Sequence, residues 1–223
     1  MHHELRVYDD ATDLAEAAAL YLIERARAGG ADRAWALSGG TTPRATWSLI
    51  AGRRARWRRL TLYQVDERVA PVGDAARNLT DLTELARATG ARVEPMPVDD
   101  PDLAAAAARY GDTLPATLDL VHLGLGADGH CASLVPDDPV LAVTDRPVAL
   151  TAPYQGHRRM TLTFPALARA RQLVWLVAGA DKRDALARLL DADRTTPAGR
   201  VEAGSSLVLA DRAAAGSDRG SRS

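Results

Sequence analysis

Cysteine is all but missing: Cys131 is the only one in 223 residues. That excludes an internal disulfide and a cysteine-rich zinc site, and it fits a reducing, cytoplasmic setting. No run of about 18 apolar residues occurs, so no membrane-spanning helix is expected. Met1–Asp10 has no apolar stretch of the kind a secretory signal needs. Charge of one sign is lacking as well, with 28 basic against 29 acidic residues and a formal net charge of −1. Such a balance offers no global field to gather nucleic acid or an anionic membrane, so an anionic ligand must be held by local charges. Lysine occurs once, at Lys182, among those 28 basic residues. The abundance of arginine and alanine reads as codon composition, which makes the lone lysine conspicuous.

What is present is a globular composition, 47% hydrophobic and 26% charged. The length suits one larger α/β domain, expected over residues 1–212, with a Gly-, Ser- and Ala-rich disordered tail over 213–223. Helical spacing predicts a helix from Thr12 to Ala28, with Thr12 or Asp13 as N-cap and Gly29-Gly30 as stop. Further helices are expected from Thr41 to about Ala51 and at Arg77–Thr89, Pro101–Leu114 and Lys182–Leu190. Short apolar runs predict strands at Arg33–Leu37, Leu60–Val65, Leu118–Leu123, Val148–Thr151, Met160–Thr163, Leu173–Ala178 and Ser206–Leu209. Strands alternating with helices imply an α/β fold, a mostly parallel Rossmann-like sheet with helices on both faces. Ligands of such sheets sit beyond the carboxyl ends of the strands, so the residues that follow each strand carry the interest.

Three such turns stand out. Leu37-Ser38-Gly39-Gly40-Thr41-Thr42-Pro43 joins a strand to a helix start through two glycines, where close backbone approach and free N–H groups suit a phosphate; an ordinary capped turn is the plainer reading. Val65-Asp66-Glu67-Arg68 sets three charges at a strand's end, followed by Pro71 and Asn78, and an arginine fork there fits a phosphate or carboxylate. An exposed loop with a local ion pair accounts for the same residues. Gly124-Leu125-Gly126-Ala127-Asp128-Gly129 matches the dinucleotide fingerprint in letters, but that mechanism needs a helix from the third glycine, and Pro136 and Pro139 leave room for little more than one turn. The adjoining His130 belongs to the side-chain type that ordinarily changes charge near neutrality and is a candidate base.

Arg158-Arg159, ahead of a strand, and Lys182, opening a helix, can add positive charge to the same edge. Arg53, Arg54, Arg56, Arg58 and Arg59 around Trp57 could bind nucleic acid, although a solvated connection explains them better. No nucleophile elbow and no distinctive metal-ligand spacing occurs, and Asp128, His130 and Ser133 lie too close in sequence to be taken for a triad.

In this order the segments resemble the 6-phosphogluconolactonase family. Ser38–Pro43 resembles its SGGSTP loop, Asp66-Glu67-Arg68 its DER motif, Gly126–Leu134 its G-x-D-G-H-x-A-S-L segment, Arg159–Thr163 its R-[VI]-T-L-T strand, and Gly179–Lys182 its G-x-x-K helix start. The likeness runs from about Leu5 to Ala214. Thr41 stands where serine is usual, Cys131 where threonine is usual, and Val135-Pro136-Asp137 where phenylalanine, proline and glycine are usual. The resemblance implies hydrolysis of 6-phosphoglucono-1,5-lactone in the oxidative pentose phosphate pathway, with no cofactor and no metal. His130 would be the general base, with Asp128 orienting it or binding a sugar hydroxyl. Ser38, Gly39, Gly40, Thr41, Thr42, Asp66, Arg68, Arg159 and Lys182 would bind the substrate, chiefly its phosphate, or the oxyanion. The expected partner is a small phosphosugar lactone, with no nucleic acid and no membrane, in a monomer or weak homo-oligomer. Two alternatives stay open. A glucosamine-6-phosphate deaminase shares the glycine loop and D-G-H, yet Cys131–Pro136 lacks that family's glutamate. A non-catalytic phosphosugar sensor would keep the anion site and need no base.

Overall fold

Short apolar runs and longer amphipathic segments alternate along the chain. In the computed structural model, which describes residues 1–28, 33–53 and 57–216, they become β1 (Glu4–Tyr8), α1 (Ala11–Arg27), β2 (Arg33–Leu37), α2 (Thr41–Gly52), β3 (Leu60–Gln64), β4 (Asp66–Arg68), α3 (Leu79–Thr89), β5 (Arg92–Glu94), α4 (Leu103–Thr113), β6 (Leu120–Gly124), β7 (Val148–Leu150), β8 (Arg159–Leu162), α5 (Phe164–Leu167), β9 (Leu173–Val177), α6 (Arg183–Leu190), β10 (Ser206–Asp211) and α7 (Arg212–Ala215). Seven strands pair in the order β1-β10-β9-β6-β2-β3-β5, every ladder parallel. β9 and β10 are buried along their whole length, as apolar strands covered on both faces must be. One face packs on α1, α2 and α3 through Leu14, Leu22, Trp47, Ile50, Leu82 and Leu85. The other packs on α4, α6 and β7–β8 through Tyr110, Leu186, Leu189, Val148 and Met160. The expected α/β class, with a mostly parallel sheet between helices, is what the chain forms.

Several local expectations need correction. The segments expected at Val148–Thr151 and Met160–Thr163 do not join the parallel sheet. With β4 they form a separate antiparallel sheet, ordered β4-β8-β7. The segment between β7 and β8 is too short for a parallel crossover, which takes a dozen residues or more. Asp66-Glu67-Arg68 is therefore a strand and not a loop. Helix α1 begins one residue early because Asp10, not Thr12 or Asp13, caps it, accepting from the Thr12 and Asp13 amides. Helix α3 starts at Leu79 and not Arg77, since the Asn78 and Leu79 amides are drawn to Glu67. The first residues of the tail expected to be disordered from Ala213 are ordered instead: Asp211 caps α7 and Ala214 is buried. The Gly29-Gly30 stop, Arg54, Arg56 and residues 217–223 lie outside the described residues. Trp57 is core, edge-on to Trp35 at 5.3 Å between ring centroids.

Candidate active site

Register decides which turns meet. Leu37 lies opposite Gln64, Ala36 opposite Val121, and Gly124 opposite Leu176, so the turns after β2, β3, β6 and β9 open on one edge. The chain builds outward from β2 to β3 and β5, then returns to lay β6 on the other flank of β2. That reversal is where open α/β sheets bind ligands. Here lies a cleft of about 190 Å³ lined by Ser38, Gly39, Gly40, Asp66, Arg68, Asn78, Gly126, His130, Arg159 and Lys182, among others. A larger hollow of about 610 Å³ beside α3, walled by Val72, Leu79 and Met96, contains none of these groups and no histidine. The smaller cleft is the candidate site on chemical grounds.

The glycine turn is built for close approach. Gly40 has φ of 117°, a conformation that L side chains rarely adopt, and a Cβ at Gly39 would collide with the Asn78 side chain. No side chain caps α2, so its amide end, with the positive end of the helix dipole, faces the cleft unsatisfied by protein side chains. The turn is anchored from behind by His122, whose Nδ1 accepts from the Ser38 amide at 3.2 Å. Burial drives the His122 pKa down to about 3, which keeps the ring neutral and able to accept. Thr41 lines an adjoining hollow of about 320 Å³ with Arg44, Gln155 and His157, whereas Thr42 lines neither.

The three charges of β4 divide their labour. Asp66 is buried in the cleft wall, accepting from Ser133 Oγ at 2.6 Å and from Asn78 Nδ2 at 3.1 Å. Burial pushes its carboxyl above the ordinary value, against the pull of Ser133, Arg68 and Arg159. Glu67 points the other way and is fully buried. It accepts from the amides of Arg68, Asn78 and Leu79 at 2.8, 2.8 and 2.9 Å and from Gln64 Nε2 at 2.9 Å, with Arg77 Nε at 3.2 Å. Glu67 thus ties β4 to the start of α3. Arg68 extends into the cleft, donating to Ala76 O at 2.9 Å and Asn78 Oδ1 at 2.5 Å.

His130 follows β6 on a tight turn. A Cβ at Gly126 would overlap the His130 ring and stand 2.5 Å from Asp128 Oδ1, so only glycine allows the two to meet there. His130 Nδ1 lies 2.6 Å from Asp128 Oδ1, which also accepts from the His130 amide at 3.1 Å. Partial burial raises the Asp128 carboxyl, but these His130 contacts outweigh it and hold the pKa below its usual value. A carboxylate at Nδ1 favours the tautomer with its proton there, leaving the Nε2 lone pair for chemistry. No helix starts at Gly129; the segment from Ala127 continues as turns, so the glycine fingerprint lacks the element that dinucleotide binding requires.

Arg159 opens β8 and is 4% exposed; its Nη1 lies 3.5 Å from Ser133 Oγ. Burial lowers its pKa from the ordinary guanidinium value. Lys182 ends a 3-10 turn ahead of α6 and sits 3.0 Å from Asp181. The cleft therefore gathers Ser38, Gly39, Gly40, Asp66, Arg68, Arg159, Lys182 and His130, with Asp128 behind His130. Sequence reasoning passed over Asn78 and Ser133 as site residues, and Tyr154 and Gln155 entirely. Asn78 had a signal in its position after the charged segment, whereas the other contacts arise only from folding.

A profile of the glucosamine-6-phosphate isomerases/6-phosphogluconolactonase family matches residues 9–209. Among curated proteins, a 6-phosphogluconolactonase of Mycobacterium tuberculosis is 31% identical, with 96% of this chain and 98% of that protein covered. One from Streptomyces coelicolor is 34% identical, covering 84% and 82%. Among solved structures, a 6-phosphogluconolactonase from Thermotoga maritima gives a TM-score of 0.83 at 22% identity, covering 94% and 99%. A monomeric glucosamine-6-phosphate deaminase gives 0.84 at 17% identity, covering 96% and 99%. At these identities the solved structures speak for the fold alone.

Proposed function

The chain belongs to the glucosamine-6-phosphate isomerase and 6-phosphogluconolactonase family, and from that premise we propose that it hydrolyses 6-phosphoglucono-1,5-lactone to 6-phosphogluconate. The observation that carries this reading is the 2.6 Å pairing of His130 with Asp128 at the rim of a cleft that also holds Arg68, Arg159, Lys182 and the open end of α2. A lactone is an activated ester, so a positioned base acting on water is sufficient chemistry. His130 Nε2 takes a proton from water as the hydroxyl adds to the lactone carbonyl. The negative charge on the carbonyl oxygen is then returned as the bond to the ring oxygen breaks. The imidazolium gives its proton to that departing oxygen, regenerating the neutral base, and the product is a free hydroxyl and a carboxylic acid, which sheds its proton to solvent to become the carboxylate. Asp128, ionised at neutral pH, stabilises the imidazolium through Nδ1.

The phosphate is remote from the carbonyl and serves as a handle. Arg68, Arg159, Lys182 and the amides of Gly39 to Thr41 supply charge and donors for it, and this binding energy orients the reacting end. Asp66, held by Ser133 and Asn78, is available to accept from a sugar hydroxyl. Cys131–Pro136 carries no acid, which favours lactone hydrolysis over deamination of an amino sugar phosphate. No helix among the described residues is long and apolar enough to cross a membrane, in keeping with a cytoplasmic enzyme. Freshly generated 6-phosphogluconolactone is the assay substrate, with ammonia release from glucosamine 6-phosphate measured in parallel. Acceleration of the first over its spontaneous hydrolysis, without the second, is expected; the reverse pattern would overturn the reading.

A further inference from the structure

Tyr154 stands where the base pair and a substrate-binding arginine meet. It lies between β7 and β8, in a turn closed by two backbone bonds: Tyr154 N donates to His157 O at 2.9 Å, and His157 N donates to Tyr154 O at 3.2 Å. The two residues inside the turn, Gln155 and Gly156, have φ of 49° and 83°. Left-handed conformations at both central positions mark the tight hairpin turn that matches strand twist. The turn fixes the Tyr154 backbone and closes at His157, two residues before β8 begins, and Arg159 is the first residue of that strand.

The ring is used on both sides. It meets the His130 imidazole edge-on, with centroids 5.7 Å apart at 68°. The Arg159 guanidinium lies 5.1 Å from its centroid. The phenol donates to Asp128 Oδ2 at 3.4 Å, on the oxygen that His130 leaves free. Burial, followed by the Asp128 charge, keeps that phenol protonated. Gln155 completes the set, donating to the Tyr154 oxygen and accepting from Arg159, each at 3.4 Å. The need for such support is physical. The Asp128 side chain is 40% exposed, so the carboxylate that orients His130 is itself poorly held. Arg159 has a buried Nε without a hydrogen-bond partner, and an aromatic face is a substitute for lost solvation of a guanidinium.

We propose that Tyr154 is a positioning residue that aligns the His130–Asp128 pair and Arg159 with a single ring, joining base strength to phosphate binding. The proposal rests on the reading of His130 as the general base. Tyr154→Ala removes every ring contact, so kcat falls about tenfold and KM rises several-fold, each from the loss of modest ring and cation contacts. Tyr154→Phe keeps the ring and loses only a long hydrogen bond, so it restores KM and most of kcat.

The test measures kcat and KM of both variants on 6-phosphogluconolactone, in the wild-type and His130→Asn backgrounds, with circular dichroism as a check on folding. A group that acts through His130 has nothing left to align once the imidazole is gone. The effect of Tyr154→Ala on kcat is therefore expected to vanish in the His130→Asn background while its effect on KM persists. An equal loss of kcat in both backgrounds, or a Tyr154→Ala enzyme within twofold of wild type, would overturn the proposal while leaving the base in place. Wild-type kcat in His130→Asn alone would instead remove the base, and the proposal with it.

Discussion

Replacing Glu67 by glutamine keeps the shape of the side chain and alters only its charge and one acceptor. Glu67 is completely buried, and its two oxygens accept from the Arg68, Asn78 and Leu79 amides and from Gln64, with Arg77 alongside at 3.2 Å. An amide group at this position must turn its NH2 toward one of two donor sets. Either the Arg68 and Asn78 amides or the Leu79 amide and Gln64 then face a donor. Each orphaned donor costs about 1–3 kcal/mol, and Arg77, 4% exposed in its side chain, keeps a buried charge whose nearest partner has become neutral. Losing one member of a buried pair costs about 3–5 kcal/mol. We expect a loss of that size in chemical denaturation, and a Tm lowered by about 6–20 °C for a chain of this length. Glu67→Gln should retain catalysis in the folded fraction, since Glu67 faces away from the cleft. A variant destabilised by less than about 1 kcal/mol would refute this account of the middle residue of β4.

Arg68→Ala is expected to raise KM about 10- to 100-fold with little change in kcat, because a charge-assisted bond to phosphate acts in the ground and transition states alike; a fall in kcat at constant KM would move Arg68 to the oxyanion. Gly126→Ala forces a Cβ against the His130 ring and Asp128, so kcat should fall at least about tenfold with circular dichroism unchanged; full activity would show that the pair tolerates displacement. Asp66→Asn tests the burial cost of a carboxylate. Burial raises the folded-state pKa of Asp66, so over the window above the ordinary carboxylate value the folded state keeps a proton that the unfolded state has shed. That contribution is complete at low pH and is lost as pH rises through the raised value. The stability of wild type relative to Asp66→Asn should therefore decline from about pH 4 toward neutrality, measured by denaturation at several pH values; a rise over that range would contradict the reasoning.

The parallel sheet was legible because its strands are buried on both faces and read as apolar runs: Leu173–Val177 and Leu60–Gln64 could hardly be anything else. β1 escaped because Glu4–Tyr8 is an exposed edge strand carrying charges, placed by pairing with β10 at the far end of the chain. β4 escaped because three charged residues carry no strand signal, and antiparallel pairing with β8 is what extends them. The separate sheet had left a mark in the short β7–β8 connection, which strand patterns alone pass over. At the site, the glycine turn, Asp66, Arg68 and His130 were legible as the residues that follow β2, β3 and β6. Glu67 was hidden by its neighbours, since a run of three charges does not say which side chain points inward. Tyr154, Gln155 and Ser133 meet Asp128, Arg159 and Asp66 only through folding around the second sheet, contacts that no local pattern encodes, whereas Asn78 was marked by its place after the charged segment.

The central claim is that His130 is the base, and kcat/KM against pH for wild type and His130→Asn on freshly generated 6-phosphogluconolactone tests it most directly. Spontaneous hydrolysis accelerates with pH and is subtracted at each point. The account predicts a loss of about 10²–10⁴ in kcat with a small change in KM, and disappearance of the limb that rises through the neutral or mildly acidic range in wild type. A His130→Asn enzyme that is folded, keeps most of the wild-type kcat and shows the same limb would contradict it.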